Sequence, residues 1–298
     1  MTIPESQLQT WSHQGAVTTA KATHESIRSA LDSYEFPEGV SYEVYLQGSY
    51  KNDTNIRGDS DVDVAVQLNS SFQRDLSSLS EAERQLYEQN HSDATYRWEN
   101  FRGDVLRVLR GQYGAQAVRE GNKSIKIAGA SGRLPADVIV CIQYRKYRRY
   151  QSTADQDYVE GIAFYTQREN RHIINFPKCH YDNGVEKNSP SNSNGEFKPT
   201  VRLFKNARTY LINQNVINQG LAPSYFLECL IHNVPNNAFG GNYQQKFCNV
   251  VNFLAQANLT TFTCQNKQLP LFGASAEQWA VADAQNLVNA LVSLWNNW

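Results

Sequence analysis

Residues 46–66 of this 298-residue chain read LQGSYKNDTNIRGDSDVDVAV. The apolar beginning and the alternating end of this stretch predict two β-strands, with a Gly-Ser turn and a polar loop between them. Side chains two positions apart in a strand leave the same face, so Asp61 and Asp63 point together while the neighbouring valines face the core. Asp59 follows a glycine at the entrance to the second strand, where we expect it to cap a turn.

The two neighbouring carboxylates indicate a site for a divalent cation. Paired carboxylates repel each other and raise their proton affinity unless a cation lies between them. Mg²⁺ prefers carboxylate oxygens combined with phosphate oxygens of a substrate. Gly48 has no Cβ and lets backbone N–H groups approach a phosphate, to which the Ser49 hydroxyl can also donate. The alternative is a hairpin with merely solvated aspartates, but a Gly-Ser turn at this distance favours a phosphate and metal site.

Gly48-Ser49 followed by Asp61-hydrophobic-Asp63-hydrophobic resembles the signature of the nucleotidyltransferase superfamily. The longer run GSYKN…RGDSDVDV is similar to the bacterial relatives of cyclic GMP–AMP synthase (cGAS), the cyclic-oligonucleotide synthases of anti-phage defence. The resemblance implies an α+β fold, a bilobed nucleotidyltransferase (polymerase-beta-like) architecture. In it, a mixed-sheet lobe with an N-terminal spine helix precedes a C-terminal helical lobe.

A chain of 298 residues, 41% of them hydrophobic, is long enough for about two domains with substantial cores. We predict a nucleotidyltransferase core lobe over residues 1–180 and a helical lobe over residues 196–298. The segment 181–195 is rich in Asn, Ser and Gly and is predicted to be the connecting loop.

Apolar periodicity predicts the remaining elements. Residues 4–33 suit one long helix, residues 69–80 a polar loop, and residues 177–199 a loop. Further helices are expected at about 81–90, 94–110, from 199, from 223, 249–254 and 276–298, and strands near 115–118, 124–128, 134–142, 161–165 and 171–176.

A third carboxylate, Asp137, stands at the start of an apolar run that predicts a buried strand. A charge at the mouth of such a strand needs a partner. The resemblance implies that Asp137 is the third metal-binding carboxylate, whereas without it Asp137 could simply cap a backbone N–H.

In the predicted helical lobe, Lys205 is expected as an exposed cation on its helix. Ser224 begins another helix, where the dipole favours an anion. The segments Lys-Asn-Ala-Arg and Ala-Pro-Ser-Tyr, about twenty residues apart, are a second match to the family. The resemblance implies that Lys205 and Ser224 bind a triphosphate and that Tyr225 stacks on the donor base; a plain core tyrosine is the alternative.

Composition narrows the function classes. The formal net charge of −1 gives no overall basic field for nucleic acid. The arginines between residues 97 and 110 could contact nucleic acid or stay solvated. The run 144–150 (YRKYRRY) could contact nucleic acid, serve a partner protein or stay solvated. Five scattered cysteines argue for a reducing compartment, and Cys179-His180 has no second pair with which to bind zinc. With no basic-apolar leader or long apolar run, we expect a cytoplasmic protein without membrane contact.

The expected activity is nucleotidyl transfer that uses two Mg²⁺ ions, with Mn²⁺ as a substitute, held by Asp61, Asp63 and Asp137. NTPs, ATP among them, would be joined into a cyclic di- or trinucleotide second messenger, with release of pyrophosphate. Linear addition to an RNA end or a small molecule is one alternative, and an inactive nucleotide-binding scaffold is another. A regulatory protein partner fits the family, and the motifs select neither for nor against a nucleic-acid activator.

Overall fold

The computed structural model describes residues 2–58 and 61–298. The expected capping role of Asp59 lies outside these residues. The chain divides into two compact units. The sheet unit comprises Val17–Tyr50 and Ser60–Lys178. The helical unit comprises Met1–Ala16, Lys51–Asp59 and Cys179–Trp298.

The described residues form both α-helices and β-strands. The helices are α1 (Glu5–Ser12), α2 (Thr18–Asp32), α3 (Gly48–Asn52), α4 (Glu81–Asn90), α5 (Trp98–Tyr113), α6 (Pro177–Lys187), α7 (Phe197–Asn213), α8 (Ser224–His232), α9 (Tyr243–Gln256) and α10 (Val281–Asn296). The strands are β1 (Tyr42–Leu46), β2 (Val62–Asp75), β3 (Val118–Glu120), β4 (Ile125–Ile127), β5 (Ala136–Tyr150), β6 (Gln156–Tyr165) and β7 (His172–Asn175).

The sheet unit is built on one mixed sheet with the strand order β1-β2-β5-β4-β3. The pair β2 and β5 is parallel and the other pairs are antiparallel. Strand β5 pairs with β4 through its first residues and with β6 further along, and β7 continues the sheet beyond β6. This arrangement confirms the predicted α+β class with a mixed sheet.

Every second residue at the start of β2 is a fully buried valine, namely Val62, Val64 and Val66, and this alternation fixes the register of the strand. Helix α5 packs on the same sheet, and its Trp98 indole donates a hydrogen bond to the Val140 carbonyl at 2.8 Å. The residues between the valines therefore face the other side of the sheet.

The helical unit has its own apolar core, which α7, α8, α9 and α10 supply together with Ile3 and Leu8. In this core the rings of Phe204 and Phe247 stack with their centroids 5.1 Å apart. Within residues 2–58 and 61–298, no helix is both long and apolar enough to cross a membrane.

Three predicted elements are wrong. The long N-terminal helix is split into α1 and α2 near Gly15, whose N–H donates to the Asn55 carbonyl at 3.0 Å and whose Cβ, if present, would collide with the Ile56 carbonyl. The loop over residues 69–80 is largely strand, because β2 passes an irregularity after Leu68 and pairs again with β5 from Phe72. The loop over residues 177–199 begins as helix α6.

Candidate active site

Two of the predicted metal-binding carboxylates are neighbours across two parallel strands. Asp63 is the second residue of β2, and it is in register with Asp137, the second residue of β5. Residues in register on adjacent strands point to the same face of a sheet. Asp61 lies two positions before Asp63, immediately outside β2. The sheet unit therefore gathers these three residues, called the carboxylate row below, at one edge of the sheet.

Lys126, which the sequence reasoning missed, extends the carboxylate row onto a third strand. It lies in β4 in register with Asp137, and its Nζ is 3.0 Å from Oδ1 and 3.2 Å from Oδ2 of that aspartate. The hydrogen bond to Asp137, followed by the charges of Asp137, Asp61 and Asp63, raises the pKa of the Lys126 ammonium. An ammonium of the chain is thus attracted by all three carboxylates. An alternating strand pattern in residues 125–127 was the signal that could have identified it.

Gly48 lies directly against the carboxylate row. Its φ of +63° is in the region that favours glycine, and a Cβ at this position would collide with the Asp63 carboxylate. The N–H of Gln47 donates to the Asp63 carbonyl at 2.9 Å, which holds the end of β1 beside β2. Ser49 follows as the second residue of the short helix α3 and is partly buried. The predicted Gly-Ser turn therefore adjoins Asp63, as a phosphate site beside a metal would require.

The donor chemistry of the carboxylate row fits Mg²⁺, which takes hard oxygen ligands. The contact between Lys126 and Asp137 shows that the row already holds a cationic group. In the described part of the chain, however, no three carboxylate, imidazole or thiol groups converge closely enough to hold one ion. Metal binding would therefore need the side chains of the row to draw together, and Asp137 to exchange its ammonium partner.

A cavity of about 320 Å³ opens beside the row, within the sheet unit. Asp61 and Asp137 line it together with Lys126 and Arg119. Two carboxylates and two cations thus share one space that is accessible to small ligands. Its walls otherwise consist of Gln116, Ala117, Ile127, Ala128, Pro135 and Ala136.

In the helical unit, Lys205 is fully buried, so the expected exposed position is wrong. Its Nζ lies 2.5 Å from Oε1 of Glu228 and 3.1 Å from the Thr54 carbonyl. Burial alone would raise the pKa of Glu228, but the Lys205 charge and a hydrogen bond from His180 outweigh burial and hold that pKa well below its usual range. Lys205 is therefore part of a buried ion pair, and triphosphate binding by Lys205 stays a prediction.

His180 connects this ion pair to Tyr225. Its Nε2 is 3.3 Å from Oε2 of Glu228, and its ring stacks on the Tyr225 ring with the centroids 5.4 Å apart. The Tyr225 hydroxyl accepts a hydrogen bond from the Asn266 amide at 3.3 Å. Sequence reasoning missed His180, Glu228 and Thr54. A glutamate in the otherwise apolar first turns of α8 was the available signal, because a buried charge needs a partner.

Ser224 is the first residue of α8, as expected, and its Oγ accepts a hydrogen bond from Arg208 Nη1 at 3.1 Å. Tyr225 is mostly enclosed, and this burial raises the pKa of its hydroxyl. Both residues are thus placed within the helical unit, and their predicted contacts with triphosphate and base stay predictions.

The basic stretches that could have contacted nucleic acid are largely paired with other groups. Arg145 lies between Phe72 and Tyr158, 3.7 and 4.9 Å from the ring centroids. Two other cations of the run, Arg148 and Arg149, pair with Asp157 and Asp155, and on α5 Arg102 and Arg110 pair with Glu120 while Arg107 pairs with Asp104. The structure therefore favours intramolecular roles for these cations.

Comparison with protein families agrees with the two-unit architecture. Residues 27–109 match the nucleotidyltransferase domain, and residues 182–296 match the cGAS/DncV-like nucleotidyltransferase C-terminal helical domain. The chain belongs to the cGAS/DncV-like nucleotidyltransferase family, and it is an enzyme of the cyclic-nucleotide synthase class within it.

Particular relatives cover the whole chain. This chain is 53% identical over 298 residues to the cyclic UMP-AMP synthase of Rhodothermus marinus, with 100% of this chain and 99% of that protein aligned. The structure of that enzyme with Apcpp and Upnpp superposes with a TM-score of 0.90, covering 99% of this chain and 97% of the other. The cyclic nucleotide synthase CdnE01 of Staphylococcus haemolyticus is 41% identical, with both chains covered completely. A cyclic dinucleotide synthase of Elizabethkingia meningoseptica, solved with GTP and Apcpp, is 31% identical, with a TM-score of 0.76 and coverage of 99% and 98%.

Proposed function

We propose that this chain synthesises cyclic UMP–AMP from UTP and ATP in a reaction that depends on Mg²⁺, for which Mn²⁺ can substitute. The carboxylate row and Gly48 are the observation that supports the proposed chemistry. The row supplies hard oxygen ligands, and a Cβ at Gly48 would collide with the Asp63 carboxylate, so only glycine fits this close to it. The identity of 53% over the whole chain to a cyclic UMP-AMP synthase supports the choice of bases.

In this proposal Asp61, Asp63 and Asp137 hold the metal, and Ser49 binds phosphate oxygens next to Asp63. When bound, Mg²⁺ neutralises phosphate charge and favours deprotonation of the attacking ribose hydroxyl. Gly48 has the separate task of bringing the chain close to Asp63 without a steric clash. We carry the predicted roles of Lys205 and Ser224 toward a triphosphate, and of Tyr225 toward a base, as part of the same proposal.

The proposed reaction has two transfers of the same kind. A ribose hydroxyl of one nucleotide releases its proton to water and its oxygen bonds to the α-phosphorus of the other, while the bond from that phosphorus to the α–β bridging oxygen breaks and pyrophosphate leaves. The linear product keeps a 5′-triphosphate. Its free ribose hydroxyl then attacks its own α-phosphorus, which closes the ring and releases a second pyrophosphate. One UTP and one ATP thus give one ring and two pyrophosphates.

The test is incubation of the purified chain with the four NTPs, singly and in pairs, with Mg²⁺, followed by phosphatase treatment and mass spectrometry. The proposal expects a phosphatase-resistant product with the mass of cyclic UMP–AMP from UTP plus ATP, and no product from Asp63→Asn. Phosphatase-sensitive linear products would favour the alternative of linear addition. A ring of other bases would overturn only the choice of substrates, and an absence of turnover would favour the inactive scaffold.

We also propose that the product is a second messenger in bacterial defence against phage and that the enzyme works in the cytoplasm. The support is the membership in the cGAS/DncV-like family together with the lack of a membrane-crossing helix in the described residues. Plaque counts on cells that carry the native gene neighbourhood should rise when Asp63 is replaced by Asn. Equal plaque counts for both forms would contradict this role.

A further inference from the structure

The Lys126 ammonium lies beside the carboxylate row, and the proposed chemistry gives it no role. Register pairs Lys126 with Asp137 and Asp137 with Asp63, so one cation and two carboxylates stand side by side on three neighbouring strands. Both oxygens of Asp137 contact the ammonium. The ammonium therefore supplies positive charge at Asp137, where a bound metal ion would otherwise supply it.

We propose that Lys126 is the resident counter-ion of the carboxylate row: it holds Asp137 while no divalent cation is bound and releases it when one binds. The inference rests on the proposed function, because it takes the row as the metal site. Lys126 is then a positioning residue that sets the affinity for metal through Asp137, without itself touching substrate.

The exposure of the pair makes such an exchange feasible. The Lys126 side chain is 57% exposed and that of Asp137 is 26% exposed. Ion pairs that are this accessible to water contribute little to stability. A lysine also carries its charge on a flexible stem, so the ammonium can move into solvent or the adjoining cavity at low cost. A doubly charged ion can therefore displace it.

A purely structural role predicts a different result. If Lys126 only tied β4 to β5, its removal would lower stability and leave the affinity for metal unchanged. If it competes with metal, its removal takes away both a rival for Asp137 and a nearby positive charge. Two unit charges about 4 Å apart already interact appreciably in water. We therefore expect metal to bind about five- to tenfold more tightly to Lys126→Met.

The experiment titrates Mn²⁺ alone, without nucleotide, into the full chain and follows the electron paramagnetic resonance signal of the free ion. Lys126→Met should bind about five- to tenfold more tightly than the wild type, whereas Lys126→Arg, which keeps the charge, should stay within about twofold. Lys123→Met is the matched control, since it removes an exposed lysine from the same β3–β4 hairpin, and it should also stay within twofold. Circular dichroism confirms folding, and Lys126→Gln replaces Lys126→Met if the latter is unfolded.

The outcomes separate the two proposals. Unchanged Mn²⁺ binding by Asp63→Asn would show that the row is not the metal site, which overturns the proposed function. Loss of binding in Asp63→Asn, with equal or weaker binding in Lys126→Met, would overturn only the role of Lys126. Equal tightening in Lys123→Met would also overturn it, because the effect would then be one of overall charge.

Discussion

Removal of the buried carboxylate of Glu228 should destabilise the helical unit strongly. The Lys205 side chain is 0% exposed and that of Glu228 is 5% exposed, and their charged atoms are 2.5 Å apart. When one partner of a buried pair is removed, the other charge stays uncompensated, which costs about 3–5 kcal/mol. We expect this loss for Glu228→Gln, because Lys205 keeps its charge while the described groups around its Nζ become neutral oxygens, those of the amide and of Thr54.

The converse substitution, Lys205→Met, should be milder. Glu228 would still accept hydrogen bonds from His180 and from the Thr54 hydroxyl, the latter at 2.8 Å. Hydrogen bonds to a charged group are worth about 1.5–3 kcal/mol each. They offset part of the cost of about 3–5 kcal/mol for an uncompensated buried charge, so we expect a loss of about 2–3 kcal/mol. The double variant removes both charges and should be more stable than Glu228→Gln alone by about 1–2 kcal/mol.

Urea unfolding followed by tryptophan fluorescence is a suitable assay. Trp11, Trp279, Trp295 and Trp298 belong to the helical unit, so four of the five tryptophans report on it. The matched control is Glu186→Gln, which breaks the exposed pair with Lys267 in the same unit and should change stability by no more than about 1 kcal/mol. A loss below about 1 kcal/mol for Glu228→Gln, or a double variant less stable than both single variants, would refute the reasoning.

The same ion pair makes a prediction for acid. Because the pKa of Glu228 is lowered in the folded chain, this carboxylate contributes stability above its unfolded pKa of about 4.3. That contribution is lost as the pH falls below about 4.3 toward the lower folded pKa. The stability difference between the wild type and Glu228→Gln should therefore be constant near neutrality and narrow in acid. A stability difference that grows below pH ~4 would contradict this prediction, because a carboxylate with a lowered pKa loses its contribution in acid.

Three further substitutions test the sheet unit. Asp63→Asn should lower the rate of product formation about 10³-fold or more with an unchanged circular dichroism spectrum, and residual turnover near the wild-type rate would exclude Asp63 from the metal site. Gly48→Ala should lower turnover about 10²-fold or more and destabilise the chain by about 1–2 kcal/mol, because it combines a positive φ with a clash at the Asp63 carboxylate. The control is Gly111→Ala on α5, where a Cβ meets open space, and it should leave stability in urea unchanged or raise it. Trp98→Phe leaves the Val140 carbonyl without its indole donor and should cost about 1–3 kcal/mol in thermal or urea unfolding, while an unchanged midpoint would show that the bond contributes nothing.

The parts of the site that the sequence could predict are those set by neighbours in the chain. The alternating end of residues 46–66 predicted a strand, and β2 begins there at Val62, with the valines around Asp63 buried as their alternation required. The start of α8 follows from Pro223 and Ser224 in the same way. In each case the pattern that defines the element and the residues that stabilise it are within a few positions of each other.

The errors arise where distant residues decide the local structure. The break at Gly15 depends on the backbone of Asn55 and Ile56, which approach too closely for a continuous helix. The burial of Lys205 depends on Thr54, 151 positions away, and on Glu228 in another helix. Periodicity within one segment contains no information on such partners, so a lysine on a helix is assigned to solvent by default.

The two lysine–carboxylate pairs of this enzyme show how burial determines what an ion pair can do. Lys126–Asp137 and Lys205–Glu228 have the same chemistry, but the first lysine is 57% exposed and the second is 0% exposed. An exposed pair contributes about 0–1 kcal/mol, so a divalent ion can break it with little loss of stability. Breaking a buried pair costs about 3–5 kcal/mol, so it persists through a catalytic cycle and can hold His180, and through it Tyr225, in place. In the proposed chemistry, the exchangeable cation thus belongs to the carboxylate row, where a divalent ion would take its place. The permanent one belongs to the helical unit, where a predicted base-stacking side chain needs a fixed orientation.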